Sequence, residues 1–144
     1  MRKIIYTRPD GGLCVVHPVI NTLGEPDNFT DADAEQRAWD KLPKDAINPA
    51  FVEAEAIPAD RAFREAWRRG DAGGVVIDMP VAREIHRTVL RGLRAPKLAA
   101  LDVEFMRAVE RTDNTALSEI IAKKDALRDV TKVPAIEAAT TPEQ

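Results

Sequence analysis

Apolar positions alternate early in this chain and recur at helical spacing late, which predicts a β-rich beginning and a helical end. Residues 3–7 (KIIYT) and 13–17 (LCVVH) are β-prone runs on either side of Arg8-Pro9-Asp10-Gly11-Gly12. Proline fixes φ, and Asp-Gly-Gly supplies the positive-φ positions of a tight reversal, so the spacing predicts a β-hairpin. Pro18 ends the second strand by removing a ladder donor. Asn, Gly and Pro then predict a loop over residues 19–28. Thr30 or Asp31 is placed to cap a short helix over residues 32–41, with Ala34, Ala38 and Leu42 on one face and Trp39 beside it. Pro43 and Pro49 interrupt the pattern, and the apolar–acidic alternation of residues 51–56 predicts a half-exposed strand. Asp60 is placed to cap a short helix carrying Phe63 and Trp67 at i, i+4 spacing. Residues 70–74 (GDAGG) predict a turn, and residues 75–77 a short strand.

The helical part begins at Asp78, which stands at an N-cap position, with Pro80 in the first turn, where its missing N–H costs nothing. Ala82, Ile85, Val89 and Leu93 trace one face. Leu98, Leu101, Phe105 and Val109 continue the apolar pattern beyond Pro96. A proline so deep in a helix predicts a kink or break near residues 93–96. Residues 112–115 (TDNT) close this helix and cap the next. Leu117, Ile120, Ile121, Lys124 and Leu127 then share a face that ends near Val130.

So short a connection predicts an antiparallel helical hairpin. The second helix is long enough to cover only the latter half of the first. Ile85, Val89 and Leu93 are therefore expected to pack on the N-terminal unit or to lie in an interface with another chain. Residues 131–144, rich in Pro, Ala and Thr, are expected to be extended or mobile. The fold class that follows is α+β, with a mixed β/α region at 1–77, a helical hairpin at 78–130 and an extended tail at 131–144.

A chain of 144 residues is one domain's worth and can bury a real core. With four Phe, two Trp and one Tyr, burial must come chiefly from aliphatic side chains. The single cysteine, Cys14, excludes an internal disulfide. No apolar run approaches the ~20 residues of a membrane span, and none follows Met1, so a soluble, non-exported chain is expected.

The net charge of −3 hides a polarity. Residues 25–60 carry ten acids against three bases, and residues 61–97 carry nine bases against four acids. Adjacent blocks of opposite sign favour packing within the chain or contact between copies, unless both are simply solvated.

Catalytic grammar is missing. Cys14 and His17 lie three apart on a strand and point to opposite faces, His86 is remote, and no zinc-ligand spacing occurs. Cys14 reads as a small buried hydrophobe. Gly70, Gly73 and Gly74 precede a strand, the wrong context for a phosphate loop, and no nucleophile elbow is present. The expectation is a non-enzymatic protein with no catalytic residue, cofactor or metal. Arg83, Arg87, Arg91, Arg94 and Lys97 step by four and three along one helical face. Such a row suits a solvated face, an acidic protein surface or a phosphate backbone. With no interleaved aromatic residues and a pI near 5.5, nucleic acid is the least favoured of the three.

Residues 3–19 (KIIYTRPDGGLCVVHPV) resemble the opening hairpin of a family of small proteins encoded in the tail-gene region of bacteriophages and prophages. The resemblance continues over residues 57–142 through Asp60-Arg61, Phe63-Arg64, Ala66-Trp67, Asp78-Met79, Ala82-Arg83, Ile85-His86, Lys97-Leu98, Leu101-Asp102, Phe105-Met106-Arg107 and Leu127-Arg128-Asp129. Ala62 and Glu65 depart from the Thr and Asn expected there. The resemblance implies a non-enzymatic, tail-associated virion protein that contacts other phage proteins or further copies of itself. Its place would be the phage tail, or the host cytoplasm during assembly. The helical hairpin followed by LRDVTKVP is also similar to the layout of tail-fibre assembly chaperones, which implies an alternative role outside the particle.

Overall fold

The computed structural model describes residues 1–20, 24, 26 and 28–143, and the chain divides into two compact units, Met1–Asp78 and Met79–Gln144. The loop expected over residues 19–28 lies in part outside the described residues. The fold is α+β, as the alternating and helical periods predict.

The first unit is built on a three-stranded antiparallel sheet. Strands β1 (Lys3–Thr7) and β2 (Leu13–Val16) pair in the predicted hairpin, and β3 (Ile47–Val52) pairs on the other side of β1. The reversal closes with two bonds: the Arg8 amide donates to the Gly12 carbonyl (2.8 Å) and the Gly11 amide to the Arg8 carbonyl (2.9 Å). Gly11 sits at φ 83°, a conformation that costs glycine nothing. A second hairpin, β4 (Trp67–Arg69) with β5 (Val75–Ile77), closes in the same way through Gly70, Gly74 and Gly73, the last at φ 88°.

Neighbouring residues on a strand face opposite ways, so complete burial of both Ile4 and Ile5 means that both faces of the sheet are covered. Ile5 packs with Leu13 and Trp67, joined by Val15, Val52, Ile57, Val75 and Ile77. On the other face Ile4 is paired with Phe51, whose ring stacks on Trp39 at 4.8 Å between centroids. Trp39 belongs to helix α1 (Asp31–Asp40), which starts at the predicted Thr30 cap. The Thr30 hydroxyl accepts from the Asp33 amide while the Asp33 carboxylate accepts from the Thr30 amide, a reciprocal capping box.

Glu35 ties this helix to the sheet. Its buried carboxylate accepts from the Arg2 amide (2.5 Å), Nε (3.0 Å) and Nη2 (2.7 Å), while the same guanidinium lies 4.3 Å from the Phe51 ring centroid. Hydrogen bonds from Arg2 hold the Glu35 carboxyl below the ordinary glutamate range. A depressed folded pKa stabilises the fold fully above about pH 4.5, the ordinary value, and that contribution fades as pH falls through the folded value. Acid titration of the wild type should therefore show unfolding of this unit steepen below that pH. Glu35→Gln should be less stable at neutral pH and show a shallower acid slope; an unchanged slope would contradict the assignment.

Two predicted elements are corrected here. The strand expected over residues 51–56 lies earlier, at Ile47–Val52, and includes Pro49; Ala54–Ala56 is a 3₁₀ turn instead. Pro49 is tolerated because β3 is an edge strand carrying a bulge, with Asn48 at φ 49° where the register against Ile5 and Thr7 shifts. The helix expected to carry Phe63 and Trp67 is reduced to a 3₁₀ turn, Arg64–Ala66, although Asp60 does accept from the Ala62 amide (2.8 Å). Trp67 instead opens β4, where an extended backbone turns its indole onto Ile5 and Leu13.

The second unit is the helical hairpin of α2 (Met79–Glu110) and α3 (Asn114–Asp129). Asp113 caps α3 by accepting from the Ala116 amide (3.0 Å), after Thr112 takes a positive φ of 57°. Of the kink or break expected near Pro96, the break does not occur: α2 is helical throughout its 32 residues, and Pro96 removes one hydrogen bond without ending it. The tail is not extended either. A 3₁₀ turn (Val130–Lys132) leads into a short helix, α4 (Pro134–Ala138), with Pro134 in its first turn.

Candidate functional site

Helix α2 has two long faces of different chemistry. The first carries Leu98, Leu101 and Phe105, half-buried, and Ala108, buried, and α2 packs against α3, on which Leu117, Lys124 and Leu127 are half-buried and Ile120 is buried. Ile120 is buried at the centre of that seam. Lys124 runs along it and reaches out at the end, with Nζ 2.6 Å from Asp102 and 5.1 Å from the Phe105 centroid.

Arg87 and Arg94 lie on this same face, at seven-residue steps from Leu101 and Ala108. Here α3 ends, and the guanidinium groups meet its last carbonyls and the chain that follows it. Arg94 Nη1 donates to the Arg128 carbonyl (2.8 Å), with longer bonds to the Leu127 carbonyl and Thr131 Oγ1 (3.4 Å each). A cation at these carbonyls offsets the negative end of the α3 dipole. Arg87 Nε donates to the Thr131 carbonyl (3.3 Å), and its Nη2 is paired with the Glu137 carboxylate. Arg83 Nη2 donates to the Ala139 carbonyl (2.8 Å).

Three of the four arginines predicted as a solvated or partner-binding row thus hold the chain's own C-terminal segment. Arg91 stands apart from them and pairs with Glu84 (2.6 Å), whose carboxyl the Arg91 hydrogen bond holds below its ordinary range. The available sequence signal was the seven-residue step from Arg87 and Arg94 to Leu101 and Ala108, which places these charges on the inner face. Arg87→Ala should cost the unit about 1–2 kcal/mol, since two charge-assisted bonds to partly exposed partners are lost. Amide exchange across α4 should then speed up roughly ten-fold, whereas unchanged protection would show that the arginine does not hold the segment.

The second face is the one predicted for an interface. Val89 and Leu93 are 52% and 61% exposed, and Ile85 is half-buried. Farther along, Val103 and Met106 are 51% and 59% exposed. Side chains of this size, repeated along one helix, form a continuous apolar row rather than scattered surface residues.

Elsewhere the predicted chemistry stays apart. Cys14 is half-buried on β2, opposite Tyr6 across the sheet, and its thiol's hydrogen bond raises the Tyr6 phenol above its ordinary value. His17 is exposed beyond the end of β2, where partial desolvation, then Lys3 and Arg61, lower its pKa. Among the described residues no three His, Cys, Asp or Glu side chains converge as a metal site would require, and no helix is long and apolar enough to cross a membrane. Compared with known proteins, the chain matches no family model, no curated protein and no solved structure.

Proposed function

We propose that the chain is a non-enzymatic bacteriophage virion protein, a tail-associated structural or adaptor component that makes protein–protein contacts through its helical hairpin. The observation that carries the contact role is the exposed apolar row of Val89, Leu93, Val103 and Met106 on α2. Such a row is costly in water and is relieved by a partner surface. The phage setting rests on the resemblance over residues 3–19 and 57–142. Partners of this kind are other tail proteins or further copies of the chain, met in the tail or in the host cytoplasm during assembly. A nucleic-acid partner is disfavoured, because Arg83, Arg87 and Arg94 spend donors on carbonyls and a carboxylate of the same chain.

The protein content of purified phage particles tests the reading. The chain should be found in intact particles at stoichiometric level. Its absence from particles whose assembly still requires the gene would point instead to a tail-fibre assembly chaperone. Turnover of a substrate, or tight DNA binding at physiological salt, would overturn both.

A further inference from the structure

On the outer face of α2 the apolar residues follow a strict rhythm. Val89, Pro96 and Val103 recur every seven residues, and Gly92, Ala99 and Met106 fall between them, so the spacing alternates three and four. That is the a and d pattern of a coiled-coil seam, and it lies on the side away from α3. Leu93 and Ala100 widen the seam on one flank and Ala95 on the other. Ala82 and Ile85 continue the pattern upstream, but they are buried and half-buried, so the open length begins at Val89. It spans eighteen residues to Met106, about 27 Å of helix.

We infer that a second copy of this chain covers this face, with its α2 parallel to the first. The charges beside the seam select both occupant and direction. In a parallel pair, Asp102 of one helix lies beside Arg107 of the other, five residues on, where flanking charges of opposite sign meet. Asp102 is 63% exposed even while paired with Lys124, so its carboxylate has room for a second cation. An antiparallel pair would set Asp102 against Thr88 or Ala95, and Arg107 against His86 or Leu93, leaving both charges without an opposite partner. The remaining flank positions of the parallel pair, Thr88 with Leu93 and Ala95 with Ala100, bring no like charges together. Gly92, Ala95 and Ala99 let the two backbones approach closely, which compensates for the modest side chains of the seam. The inference rests on the reading of this face as a contact surface and not on the particle that contains it.

Sedimentation of the wild-type chain at high micromolar concentration should give twice the chain mass. Leu93→Glu combined with Val103→Glu should return it to the single-chain mass with an unchanged circular dichroism spectrum. In a Cys14→Ser background, Val103→Cys should form a disulfide-linked dimer on mild oxidation, because in a parallel seam this residue meets its own copy. Glu119→Cys, on the exposed side of α3, should not. A wild-type chain that sediments as a monomer would overturn the inference. So would cross-linking of Val103→Cys no faster than Glu119→Cys, which is the outcome for an antiparallel pair. Particle composition decides the functional proposal separately from either result.

Discussion

Trp67→Ala is expected to strip the first unit of much of its stability. The indole is 4% exposed and fills the space between the sheet and the second hairpin, against Ile5 and Leu13. Truncating a buried Trp costs about 3–5 kcal/mol through lost transfer energy and the cavity left behind. A unit of this size has a total stability of roughly 4–12 kcal/mol at 0.05–0.15 kcal/mol per residue, so the loss removes a large fraction of it. Urea denaturation followed by amide exchange over Met1–Asp78 would measure the effect. The indole Nε1 is buried without a hydrogen-bond partner among the described residues, so the loss is one of packing. Trp67→Phe should accordingly retain much of the stability. If Trp67→Ala lost less than about 1 kcal/mol, the well-packed core described here would be refuted.

Pro96→Ala is expected to act in the opposite direction. Proline inside a helix is about 3 kcal/mol less favourable than alanine, because it cannot donate to the carbonyl four residues back and its ring crowds that turn. Here the carbonyl without its donor belongs to Gly92, and Pro96 is exposed, so alanine would restore the bond without disturbing the α3 seam. The gain is reduced by up to ~1 kcal/mol, since proline also restricts the unfolded chain. A net stabilisation of about 2 kcal/mol should appear as a thermal midpoint higher by roughly 10 °C for a unit of this length. An unchanged midpoint would mean that the helix relaxes around Pro96 at almost no cost.

How far these elements could be read from the chain depended on how local their causes are. The first hairpin was legible because its turn residues dictate their own φ values, and the start of α1 because Thr30 and Asp33 satisfy each other three residues apart. The face of α3 was legible in Leu117, Ile120, Lys124 and Leu127, which follow one period, whereas Ile121, expected beside them, is exposed. Trp67 was misread because i, i+4 spacing from Phe63 is a local signal, whereas its place in β4 is set by Ile5 and Leu13, far away in sequence. The bulge at Asn48 likewise depends on pairing with a strand some forty residues earlier. Of the candidate site, Val89 and Leu93 could be read as unpaired from the shortness of α3. For the arginines, the seven-residue step of Arg87 and Arg94 gave their face but not their partners, which apart from Glu137 are chiefly main-chain carbonyls that any sequence offers.

That choice of partner bears on how the C-terminal segment tolerates change. Arg83, Arg87 and Arg94 recognise where the backbone passes, at Thr131 and Ala139 above all, and among the described residues of this segment Glu137 is the one charged side chain that answers. Substitutions at Val133, Ala135 or Ile136 should therefore leave the attachment in place. Deleting a single residue between Thr131 and Ala139 should not, because it displaces one carbonyl from its guanidinium however conservative the remaining sequence. Spacing, more than composition, is what this segment has to preserve.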